Sequence, residues 1–154
     1  MYQKILVPID GSGTADRGLD EAIQLARLAG GHIRLVHVVE DPSLALAAGY
    51  GVTYTPDVLD ILRETGAAVL REAETRAKRA GVAVDSVLSV NIAGRVSQQV
   101  LQQAAEWGAD VIVLGTHGRR GASRLFLGSD AEEVLRSAAV PVLLVRAPAA
   151  EAPH

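Results

Sequence analysis

Residues 114–130 read LGTHGRRGASRLFLGSD. The apolar run Val111–Leu114 just before them has the character of a buried strand, and it enters Gly115 without a break. Gly118 and Gly128 follow, and Ser129 opens an apolar-periodic run that reads as a helix. Glycine lets the backbone approach a ligand closely. The free N–H groups and positive dipole end of a helix start suit an anion. Strand, glycine turns and helix start together predict a phosphate cradle.

The spacing is G-x2-G-x9-G-S, with Gly115, Gly118, Gly128 and Ser129 at its fixed positions. No Lys follows the last glycine as a P-loop requires, and the spacing is not the dinucleotide fingerprint G-x-G-x-x-G. The chain resembles the universal stress protein family at this motif, specifically the ATP-binding branch with G-x2-G-x9-G-[ST], and matches it at every fixed position. The resemblance extends through KILVPIDGS (residues 4–12), LVHVV (35–39) and AVPVLLVR (139–146), so it covers nearly the whole chain.

Composition bounds the answer independently. At 154 residues and 49% hydrophobic content, the chain can bury one core but is short for two ordinary domains. One Phe, three Tyr and one Trp leave that core to Val, Leu, Ile and Ala, as in a parallel sheet covered by helices. A net charge of −3 and a pI near 5.8 supply no strong basic face for nucleic acid. Without cysteine there is no disulfide or thiolate chemistry, and four scattered His form no pair at metal-ligand spacing. No apolar run approaches the roughly 18 residues of a membrane span, and MYQKILVPID lacks the pattern of a secretory signal. A cytoplasmic protein that binds neither nucleic acid nor membrane is expected.

In chain order, Ile5–Ile9 reads as a strand closed by Asp10-Gly11-Ser12, with Pro8 marking where ladder pairing stops. Residues 15–29 read as a helix with Leu19, Ala22, Ile23 and Ala26 on one stripe, stopped by Gly30-Gly31. His32–Val39 is a second strand. Residues 43–55 are the least periodic segment and predict a long loop beside the site. Thr55-Pro56 starts the longest helix, striped by Val58, Leu62, Val69, Ala73, Ala77 and Ala80, with Gly66 as an unfavourable interior residue. VAVDSVLSV (82–90) alternates as an edge strand does. Residues 92–107 form a helix ending in Trp107 as a cover over the core, followed by a strand at 110–114, a helix at 129–138 and a strand at 140–146. Residues 1–146 are expected to form the domain and 147–154 a disordered tail.

Strands alternating with helices predict an α/β fold, a parallel sheet with right-handed crossovers and helices on both faces. The resemblance implies a single Rossmann-like domain of the adenine nucleotide alpha-hydrolase-like type, five strands in the order 3-2-1-4-5. Strands one and four would then flank the reversal where such sheets bind ligands. It also implies a homodimer through antiparallel pairing of the fifth strand, Val140–Arg146, whose apolar edge would otherwise be open.

The candidate nucleotide-binding residues cluster at strand ends. Asp10 can accept from ribose hydroxyls or instead close its own turn. By resemblance it contacts nucleotide, while Pro8 and Val38 line the adenine pocket. Ile9, Leu114 and Gly115 end the two central strands. Gly118, Gly128 and Ser129 offer the cradle, and Ser129 also begins a Ser-x-x-Glu capping box with Glu132. His117 can donate to phosphate or remain a surface histidine. Of Arg119, Arg120 and Arg124, about one is expected to touch a phosphate, with Arg119 closest to the second glycine. Asp130 departs from the family, which usually carries a small or aliphatic residue there; its charge would repel phosphates unless it points away or Mg²⁺ intervenes.

The chain shows no Ser-His-Asp set, paired carboxylates or Walker lysine. The expectation is a universal stress protein that binds ATP or ADP/AMP, with or without Mg²⁺, and acts as a nucleotide-responsive dimer in stress adaptation. A slow ATPase or nucleotide-dependent transferase is one alternative. An interaction module that keeps the fold without nucleotide affinity is the other.

Overall fold

The computed structural model describes residues 1–41, 49–50, 56–91, 94–116 and 127–146. Nine elements alternate along them: β1 (Lys4–Pro8), α1 (Gly13–Ala29), β2 (His32–Glu40), α2 (Pro56–Arg79), β3 (Ala83–Asn91), α3 (Val96–Trp107), β4 (Val111–Gly115), α4 (Ser129–Ser137) and β5 (Val142–Val145). The five strands form one parallel sheet in the order β3-β2-β1-β4-β5, as the resemblance implies. The chain reverses its direction of travel across the sheet between β1 and β4.

The central strands are apolar without alternation because both faces of the sheet are covered. Ile5, Leu6 and Val7 are consecutive and all fully buried. Ile5, Val7, Ile33, Leu35, Val111 and Val113 face one core, packed by Leu19 and Ala22 of α1 and by Leu70 and Ala73 of α2. Leu6, Val36, Ile112 and Leu114 face the other, with Val100 and Ala104 of α3 and Ala131 and Val134 of α4. Edge strand β3 is half-buried along most of its length, without the alternating burial its sequence predicts.

Local chemistry sets the helix ends. Ser12 caps α1, its Oγ accepting from the Ala15 amide at 3.2 Å, so the helix begins two residues before the expected start. Gly30 and Gly108 end α1 and α3 in the left-handed conformation. The helix expected from residue 92 begins at Val96, after Gly94 at φ 115° and the cap residue Arg95. In α2 the buried positions are Gly66, Leu70, Ala73 and Ala77, whereas Val58 is exposed, so the first turns lie off the core that the sequence stripe extended to them. Trp107 packs against the second core, with the Arg34 guanidinium 4.7 Å from its ring centroid. The segment at 43–55, apart from 49–50, and the tail at 147–154 lie outside the described residues.

Candidate functional site

At the reversal the two central strands separate. β1 is in register with β2 over five pairs, from Lys4–His32 to Pro8–Val36, but with β4 only at Ile5–Val111 and Leu6–Ile112. The β1–β4 pairing ends at Leu6–Ile112, and the strand ends at such a reversal are where open α/β sheets take ligands.

The first lip is the turn after β1. Ile9 is buried, and its amide donates to the Val36 carbonyl at 2.8 Å, carrying the contact with β2 one residue past the strand. Asp10 is half-buried, and its Oδ1 accepts from the Ser12 amide at 2.9 Å. The turn-closing role weighed from sequence is therefore present. Pro8 and Val38 are half-buried on neighbouring strands, Val38 packing against the second core.

The second lip is the end of β4 and the start of α4. Leu114 belongs to the second core. Gly115 is glycine for a packing reason: a Cβ there would lie 2.6 Å from Thr14 Cγ2 and 2.7 Å from Thr14 O, because the first turn of α1 rests on the strand end. Thr116 is buried; its amide donates to Val145 O at 3.1 Å, and its carbonyl accepts the Gly128 amide at 2.8 Å. That last bond joins the two ends of the glycine-motif segment. His117, Gly118 and Arg119, with Arg120 and Arg124, lie outside the described residues.

One expectation at α4 is corrected. The capping box of Ser129 with Glu132 does not form, because Gly128, held extended by its bond to Thr116, is the N-cap and Ser129 is already helical. Glu132 instead pairs with Arg136 at 2.7 Å. The Gly128 amide is used by Thr116, and the first-turn amides of Ser129, Asp130 and Ala131 lie ahead of the first intrahelical bond, from Glu132 N–H to Gly128 O. Asp130 directs Oδ1 to the Ser97 amide in the first turn of α3, 3.1 Å away. Arg95 precedes α3 as a cap without an acceptor side chain, and Asp130 provides a carboxylate there. Sequence reasoning missed this bond and the Thr116–Gly128 bond, since neither partner pair is local.

The profile of the universal stress protein family matches residues 1–146. A universal stress protein family member from Burkholderia pseudomallei is 37% identical, with a TM-score of 0.74 over 95% of this chain and 97% of its own. A universal stress protein solved in complex with cAMP is 28% identical, with a TM-score of 0.67 over 94% of this chain and 97% of its own. The Archaeoglobus fulgidus universal stress protein in complex with dAMP is 25% identical, with a TM-score of 0.66 over 94% and 98%.

Proposed function

The chain belongs to the universal stress protein family, and on that footing we propose that it binds an adenine nucleotide in the crevice between β1 and β4. The observation that carries this reading is the parting of the two strands between unlike lips, the Asp10 carboxylate on one side and the first-turn amides of α4 on the other. One lip accepts hydrogen bonds as ribose hydroxyls require; the other donates them as phosphate requires. Relatives of the same fold hold cAMP and dAMP, two adenine nucleotides with a single phosphate each.

In this reading Pro8 and Val38 line the adenine end, Ile9 and Asp10 hold the ribose, and Leu114 and Gly115 form the floor. Ser129 to Ala131 take phosphate together with Gly118, His117 and Arg119 of the glycine motif. ATP, ADP and AMP are all candidates. Among the described residues no three His, Asp or Glu side chains form a cluster that could hold a metal ion. Binding serves as a signal: a nucleotide-responsive homodimer, paired through β5, acts in stress adaptation in the cytoplasm.

The test is to denature the purified protein, identify any adenine nucleotide in the supernatant, and titrate the stripped protein with AMP, cAMP, ADP and ATP by calorimetry. Heat of binding from at least one nucleotide, lost in Gly118→Val/Gly128→Val, is the expected result. No released nucleotide and no binding heat would refute the reading. Phosphate release from ATP above that of the double variant would instead favour the slow ATPase.

A further inference from the structure

Position 37 holds a buried histidine with no part in the site as described so far. The His37 ring lies with Nδ1 2.7 Å from the carbonyl oxygen of Ile9. A carbonyl only accepts, so Nδ1 carries the proton and donates. The other edge of the ring rests on α2 at Gly66, where a Cβ would come within 2.6 Å of Cδ2 and 2.9 Å of Nε2. This contact explains a glycine in the interior of a 24-residue helix, where it is intrinsically unfavourable. The ring has been given its space by removing a side chain.

The consequence concerns Asp10. The carbonyl of Ile9 and the amide of Asp10 belong to one peptide plane. Ile9 is thus tied to β2 at both ends, its N–H to the Val36 carbonyl at 2.8 Å and its C=O to the His37 side chain. These ties begin where the β1–β2 ladder ends at Pro8–Val36. Alternation along β2 sends the His37 side chain to the α2 face and that of Val38 to the opposite face. One short stretch of β2 therefore anchors the turn bearing Asp10 and carries the residue assigned to adenine.

We infer that His37 is a positioning residue of the nucleotide site: it orients the Ile9–Asp10 peptide, and through it the carboxylate that meets the ribose, without touching nucleotide itself. This rests on the proposed nucleotide reading for its functional meaning. The structural step, from His37 to Asp10, has its own readout, because the Ser12 amide donates to Asp10 Oδ1 and reports that carboxylate without any ligand.

The experiment compares wild type with His37→Phe, which keeps a ring against Gly66 but has no donor, and His37→Gln, which restores a side-chain N–H. Hydrogen exchange of the Ser12 amide is measured by NMR in stripped protein, and AMP affinity by calorimetry. His37→Phe is expected to speed Ser12 exchange and raise the Kd for AMP about tenfold, as loss of one hydrogen bond of ordinary strength would, with partial recovery of both in His37→Gln. In an Asp10→Ala background, His37→Phe should leave the Kd unchanged, because the group it positions has gone. Should His37→Phe fail to fold, Gly66→Ala displaces the same ring from α2 and is read by the same two measurements. An equal fold-loss in the two Asp10 backgrounds, or Ser12 exchange unaltered in the folded variant, overturns the inference. Failure of wild type to bind any nucleotide overturns the functional half alone, and Ser12 exchange still decides the positioning.

Discussion

Asp130 stands in the first turn of α4 while its Oδ1 accepts the Ser97 amide in the first turn of α3, so one carboxylate faces the positive ends of two helices. Under the proposed nucleotide reading, this is how a charge hostile to phosphate is accommodated near the start of α4: it already neutralises a helix terminus. Asp130→Ala should lower stability by about 1 kcal/mol, the usual worth of a cap, measured by urea unfolding. The same change should strengthen ATP binding more than AMP binding, because a negative charge near the phosphates is removed. Equal stability of the two proteins would show that the Ser97 bond contributes nothing. Asp85 gives a second test, away from the site. Arg34 donates to both of its oxygens, at 2.7 and 3.0 Å, and this hydrogen bonding holds the Asp85 carboxyl below its ordinary range. A carboxylate lowered on folding adds stability that is complete above its unfolded pKa and is lost as pH falls through the folded value. Asp85→Asn should therefore be less stable than wild type near neutrality, with the gap closing in acid. Two-fifths exposure of the Asp85 side chain keeps the gap small through solvent screening. A gap independent of pH in denaturant titrations would contradict this.

At the scale of elements, the first turn of α1 is seated closely on the end of β4. Gly115 lets the helix and strand approach closely: a Cβ there would strike the Thr14 backbone, 2.7 Å from its carbonyl oxygen. Gly115→Ala should destabilise the fold by about 1–3 kcal/mol, as overpacking does, visible as a lower urea midpoint. Unchanged stability would mean that packing against Thr14 does not require this glycine. The elements themselves were legible in sequence, because buried parallel strands are continuous apolar runs and β3, covered less fully, alternates. Their boundaries were less so. Ser12 moved the α1 start forward, while Gly94 and Arg95 delayed α3. At α4 the cap shifted from Ser129 to Gly128 because the tertiary bond to Thr116 outweighed local capping preference.

For the whole molecule, the open question raised by the sheet is its β5 edge. Leu143 on β5 and Leu135 on α4 are both large and exposed, and an uncovered apolar edge strand invites pairing. Under the proposed dimer, Leu143→Glu should convert a dimer to a monomer in light scattering after gel filtration, with the far-ultraviolet spectrum retained. A wild-type monomer at micromolar concentration would dispose of that arrangement. Sequence by itself determined the α/β class, through apolar runs and helical stripes whose periods follow from backbone geometry. Its motif, through resemblance, also implied the strand order and the crevice between β1 and β4. Only the tertiary structure decided which polar groups at that crevice are already engaged. Asp130 reaches Ser97, Thr116 takes the Gly128 amide, and His37 holds Ile9 while Gly66 makes room for its ring. Those partners lie far apart in sequence, beyond any helix or strand period, and meet because the sheet places separate strand ends side by side.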